Sequence, residues 1–242
     1  MSLLRKTIIA VTFISFISVN LFAQQNIKAE PWESLLINKE FQDWKVINDE
    51  RNVWIEEEVI LAHPVANTTE STFICTKNIY DDFIFEAEAI VEGSLHSNFI
   101  IRGVEEKNEN AKGYLSGYQL KIDPTERRWT GGIFDALDNK IIWYYPLTES
   151  EEARSAFKFK EWNKYRIEAI GDSIKVWVND IATCNLVHNR YTKGCIGIKV
   201  HSIGNFPELE KVFMRIKNLR IITKNPDKYK RPMSYPAKNF IN

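Results

Sequence analysis

The feature that most limits what this chain can fold into is a period-two alternation of apolar and polar residues, repeated in short runs with turn signals between them. Residues 83–91 show it most plainly: Phe83, Phe85, Ala87, Ala89 and Val91 fall on one side, Glu86 and Glu88 on the other. Side chains of an extended strand point alternately to opposite faces, so this spacing predicts a strand with one face in a core. Similar runs occupy 72–75, 98–102, 114–122, 129–135, 141–145, 165–170, 174–178, 196–200, 212–216 and 219–223. Two runs at 53–55 and 59–61 flank an acidic turn, and Gly171-Asp172-Ser173 separates two others at hairpin spacing. The only helical candidate of any length is 149–157. Many short strands without repeating helices predict an all-β fold of two packed antiparallel sheets.

The first 23 residues read differently. Arg5 and Lys6 precede an apolar run from Thr7 to Val19, and Ala23 offers a small residue at a cleavage point. This is the layout of a secretory signal peptide, too short for a comfortable membrane span. With no Cys at the cleavage point to carry a lipid, the expected product is periplasmic or secreted and free of the membrane. Residues 30–223 then form one β domain. The tail at 224–242, with three prolines, is expected to lie along the surface or fray.

The 32 basic and 32 acidic residues cancel, so charge gives no reason to expect nucleic acid or an anionic membrane as partner. Cys75, Cys184 and Cys195 are odd in number and allow at most one internal disulfide. Cys75 and Cys195 sit in strand-like runs that suit buried thiols, while a Cys184–Cys195 bridge stays open. The chain has no metal-ligand spacing, nucleophile elbow, phosphate loop or dinucleotide fingerprint. No cofactor is predicted, although Ca²⁺ or another divalent ion held by loop carboxylates would leave no motif. Aromatic residues are plentiful, and any that are exposed would suit the apolar faces of sugar rings.

Several segments resemble one family, the 3-keto-disaccharide hydrolase-like domain. The stretch 34–44 is similar to its opening "sLFNGkdLsgW", and 54–61 to its "W.vedGvL" hairpin with Glu58 in place of glycine. Residues 82–88 match "dFeLrlEf". Ser97 and Arg102 match the "NSGiflR" strand, where His96 and Asn98 replace asparagine and glycine. Residues 117–123 match "GYQvqIdp", 130–135 match "tGgiYd", 162–167 match "WNtyrI", and 197–201 match "IGLQ.H". The order and spacing of these pieces cover most of the chain from Trp32 to Thr223. The resemblance implies an exported protein with a jelly-roll, concanavalin-like sandwich.

It also implies a carbohydrate substrate already oxidised at carbon 3. A ketone there acidifies the hydrogen on carbon 2. A base removes that proton, an enolate forms, and the group on carbon 1 leaves by β-elimination, or water adds to complete a hydrolysis. Strand parity selects the residues for this work, and Trp129 joins them as a ring on which a sugar could stack. His201, Asp135, Asp123 and Glu88 are the catalytic candidates; Arg102, Gln119, Lys121 and Trp129 are the substrate-binding ones. The seven chosen by parity would converge on a sugar if their polar faces lined one concave sheet. Each has a plainer role open to it: Arg102 as a surface ion-pair partner, Asp123 before Pro124 and Asp135 before Asp138-Asn139 as turn formers, Glu88 as a solvated residue, His201 as a structural histidine, Trp129 as core. A non-catalytic carbohydrate-binding module would have the same fold. A conventional glycosidase lacks support, because no strand carries a Glu-x-Asp-x-x-Glu run.

Overall fold

The computed structural model describes residues 30–36, 41–137 and 140–240, so the expected leader at 1–23 lies outside it. Its strands, in chain order, are β1 (Glu33–Ser34), β2 (Trp44–Ile47), β3 (Val53–Glu56), β4 (Val59–Ala62), β5 (Thr72–Thr76), β6 (Phe83–Val91), β7 (Ser97–Lys107) and β8 (Gly113–Ile122). There follow β9 (Ile133–Leu137), β10 (Lys140–Tyr145), β11 (Asn163–Ile170), β12 (Ser173–Val178), β13 (Ile181–Val187), β14 (Cys195–Val200), β15 (Met214–Ile222) and β16 (Lys238–Asn239). They form two sheets. A nine-stranded sheet runs β16-β13-β12-β11-β6-β15-β4-β3, with β1 also on β15; a seven-stranded sheet runs β10-β9-β8-β7-β14-β5-β2. Pairing is antiparallel except between β13 and β16. This is the two-sheet jelly-roll class that the alternation and the resemblance predict.

The alternating residues supply the core. Phe83, Phe85, Ala87, Ala89 and Val91 of β6 point inward, facing Phe99 and Ile101 of β7 and Tyr118, Leu120 and Ile122 of β8. Phe99 meets Phe85 and Tyr165 edge-on, with ring centroids 5.6 and 5.2 Å apart, and so ties the two sheets together.

Departures from the expected elements have local causes. The 129–135 run opens as a loop: Gly131 has φ +96, and a Cβ there would lie 2.4 Å from Thr183 Oγ1. The 212–216 and 219–223 runs are one strand, β15, whose period slips at a bulge where Asn218 has φ 54. The helix is only α1 (Glu151–Ser155), capped by Ser150 Oγ accepting from the Ala153 N–H at 3.1 Å. The tail does not fray. It adds β16 to the sheet edge, and Phe240 packs on the core. All three cysteines are thiols; Cys184 belongs to the inner core and Cys195 to an outer cluster with Cys75, so the Cys184–Cys195 bridge does not form. Among the described residues no helix is long and apolar enough to cross a membrane.

The outer face of the nine-stranded sheet carries a buried ion network. Arg166, 1% exposed, donates to Glu86 Oε1 and Glu168 Oε1, each at 3.0 Å, and to the Tyr229 carbonyl of the tail at 2.6 Å. Removing one partner of such a network strands the others away from water. Arg166→Met is therefore expected to lower stability by about 3–5 kcal/mol in urea denaturation at pH 7. A loss below about 1 kcal/mol, as for a surface pair, would contradict this account.

Candidate functional site

Register sorts the outward side chains of the seven-stranded sheet into rows. One row crosses β5, β14, β7 and β8 as Phe73, Lys199, Asn98 and Lys121. The next runs Cys75, Gly197, Ile100, Gln119, Phe134 and Trp143. Just beyond the strand ends, His201, His96 and Asp123 continue the pattern: the histidine rings lie 6.4 Å apart, and His96 Nδ1 is 3.6 Å from Asp123 Oδ1.

Two walls flank these rows. On one side, the turn after β8 is shaped by Asp123, which accepts from Thr125 Oγ1 at 2.6 Å and Arg127 Nε at 2.7 Å. Arg127 lies 4.7 Å over the Trp129 ring, and Trp129 meets Trp143 edge-on at 4.8 Å, so two partly exposed indoles and a cation form that wall. On the other side a cavity of about 610 Å³ is floored by Phe73, Leu115, Gln119 and Lys199 and walled by residues 69–71 and 107–110.

The electrostatics are unusual in one respect. Among the described residues, neither Lys121 nor Lys199 forms an ion pair or hydrogen bond; each ammonium stands over an aromatic ring, Phe134 at 5.8 Å and Phe73 at 5.5 Å. Burial lowers both to about 8, against the attraction of Asp123 in the case of Lys121. Burial, reinforced by repulsion from Lys199, brings His201 down to about 4, so it is neutral at pH 7. Its Nδ1 faces the Ser202 carbonyl at 3.0 Å, which assigns the proton there and leaves Nε2 as an acceptor. Burial and Lys121 also lower His96. For Asp123, burial opposes the charge, but hydrogen bonds from Thr125 and Arg127 outweigh it and hold the carboxyl below its usual value. Among the described residues no group of three or more His, Cys, Asp or Glu stands ready to hold a metal.

Five of the residues expected from sequence are thus brought together: Gln119, Lys121, Asp123, Trp129 and His201. Three are not. Glu88 is on the outer face of the other sheet, with Asn218 Nδ2 at 2.7 Å and Lys217 at 3.6 Å. Asp135 shares the inner face of Ile133; it accepts from Tyr191 Oη at 2.6 Å and from the Gly117 N–H, at the far end of the sandwich. Arg102 sits in a bulge with φ 52 that breaks the period, and it donates to the carbonyls of Asp81 and Tyr191 at 3.0 and 3.1 Å. These two are buried structural residues, not sugar ligands of this face. Sequence reasoning passed over Lys199, His96, Asn98 and Arg127. Lys199 was within reach, because it shares the parity of His201, and His96 and Asn98 were the two replacements in the "NSGiflR" segment.

The chain belongs to the 3-keto-alpha-glucoside-1,2-lyase-like domain family, which matches residues 31–222. That membership makes it a carbohydrate-related domain. Solved structures share the fold at low identity. One is a Parabacteroides distasonis protein provisionally assigned as a glycosyl hydrolase, with 14% identity and a TM-score of 0.56 over 80% of this chain and 99% of that one. A Bacillus licheniformis β-glucanase has 11% identity and a TM-score of 0.51 over 80% and 97%. The carbohydrate-binding module CBM66 of Bacillus subtilis has 14% and 0.51 over 73% and 93%. No curated protein matches the chain.

Two outcomes follow from these placements. Arg102→Met takes the donor from two part-buried carbonyls and breaks the pair with Asp82, so stability should fall by about 1–3 kcal/mol in urea while folded protein keeps its sugar affinity. A stable variant that no longer binds sugar would return Arg102 to the site. Lys121→Met removes an unpaired buried charge and keeps the stem. A lysine depressed from 10.5 to about 8 weakens the fold by roughly 3 kcal/mol at pH 7, where both states hold the proton. That cost fades as pH rises from about 8 towards 10.5, because only the unfolded chain then retains the proton. Lys121→Met should therefore raise stability by roughly 1–3 kcal/mol at pH 7 and flatten the rise of stability between pH 8 and 10.5. Denaturation at several pH values checks both effects; a destabilised variant would mean that the ammonium is paired.

Proposed function

We propose that this protein is an exported enzyme that cleaves glycosides oxidised at carbon 3 by eliminating the group on carbon 1. Export rests on the leader-like residues 1–23. The chemistry rests on one observation: a neutral histidine with a free Nε2 and desolvated ammonium groups gather on the outer face of one sheet. His201 takes the proton from carbon 2. The Lys121 ammonium, still largely charged at pH 7, stabilises the enolate oxygen that forms on carbon 3. As the C1–O bond breaks and C1=C2 forms, His201 returns the proton to the departing oxygen, so the elimination balances without a second acid. Asn98 and Gln119, joined at 3.1 Å, are placed to hold ring hydroxyls, and Trp129 with Trp143 offers a stacking wall. Asp123 positions Arg127 and the loop, and does not move protons.

A purely carbohydrate-binding role is favoured by one feature: Asp123, the carboxylate of this cluster, is fully committed to its turn. The same experiment separates the readings. With a methyl 3-keto-glucoside, the wild-type protein should release methanol and form a conjugated enone seen by its ultraviolet absorbance. His201→Gln should lose about 10²–10⁴-fold in rate. The wild-type rate should fall as pH drops through about 4, since protonated His201 cannot accept, and should show no break near 6.5. Binding without product would leave the module reading; release from an unoxidised glucoside would replace elimination with ordinary hydrolysis.

A further inference from the structure

The elimination uses one ammonium, but the row holds two. Lys199 is the one that lines the 610 Å³ cavity. Its ammonium has no carboxylate partner, and burial alone accounts for its lowered pKa. Between the two lysines stands Asn98, 1% exposed; its Nδ2 is spent on Gln119, and its Oδ1 has no hydrogen-bond partner. The two ammonium groups and Asn98 Oδ1 are thus left without hydrogen-bond partners in the fold. The row thus carries two positive charges on either side of Asn98, and the one at Lys199 lines the cavity. Glu70, Lys107 and Glu109 stand at the cavity walls, and the two acids form no ion pair with Lys199. Asp123, the nearest carboxylate of the row beyond, is held by Arg127.

We propose that the site selects an acidic sugar, a glycoside bearing a carboxylate or a sulfate ester that Lys199 receives at the cavity floor. This rests on the reading of the row as a sugar site and adds the substrate class to it. An anion brought to a partly desolvated, unpaired ammonium gains a charge-assisted hydrogen bond and relieves a charge that the empty fold leaves uncompensated. A neutral glucoside does neither. Lysine is a point charge on a flexible stem and receives either anion, so the two are separated by experiment.

The test is calorimetric titration of the full-length protein at pH 7 and low salt with methyl β-D-glucuronide, glucose 6-sulfate and methyl β-D-glucoside. At least one acidic sugar should bind about tenfold more tightly than the glucoside, and which one does so names the anion. The advantage should shrink in about 0.5 M salt and fall below about threefold in Lys199→Gln. Lys199→Met, which also loses the charge and keeps the stem, serves as a second variant; neither should melt lower than the wild type. Equal or tighter binding of the glucoside overturns the acidic-sugar proposal and leaves the elimination reading standing. An advantage that survives both variants overturns the role of Lys199. If none of the three sugars binds, the sugar-site reading falls and this proposal with it.

Discussion

The site depends on how Phe99 is held. Its ring is wedged between Phe85 and Tyr165 of the facing sheet, and the pleat that buries Phe99 turns Asn98 and Ile100 outward. Strand neighbours follow: Leu120 opposite Phe99 is buried, which puts Gln119 and Lys121 on the outer face. A slip of one residue would drive both lysine-bearing strands the wrong way round and place ammonium groups against the core. The hydrophobic contact between sheets is thus what fixes the polar row, and the row tolerates its own repulsion because that contact leaves it no other register.

That tolerance has an electrostatic cost. Buried polar groups are normally satisfied, and Arg166 illustrates the normal case, with both neighbouring carboxylates and a tail carbonyl around it. Lys121 and Lys199 sit in the opposite condition on the other face. Charges left uncompensated in a folded chain cluster where chemistry or binding needs them. The contrast between the two outer faces, one neutralised internally and one not, separates structure from function more clearly than any single residue does.

Much of this was legible from alternation alone. Parity on 117–123 and 197–201 put Gln119, Lys121 and His201 on polar faces, and the structure brings them to the same one. Parity does not say which sheet a strand joins, and so Glu88 of β6 was grouped with residues from the opposite side of the sandwich. Nor does it mark where the period breaks: Arg102 shared the parity of Asn98 and Ile100 until a bulge with left-handed backbone turned it inward. Asp135 failed for a different reason. Its face is that of Ile133, which is core, and the Tyr191 and Tyr144 hydroxyls together with the N–H groups of Gly117 and Ala136 make a buried aspartate tolerable there. The Asp123 turn was recognisable from Pro124, but its grip on Arg127 needed coordinates.

The tail strand β16 and the early segment from Glu30 to Ser34 both settle on the nine-stranded sheet, with Trp32 over Arg220 and Tyr229 against Arg166. The lysine row belongs to the other sheet. A bead, surface or fusion partner attached through the early segment would therefore hold the domain by its back, leaving the cleft turned towards whatever glycan lies in front of it.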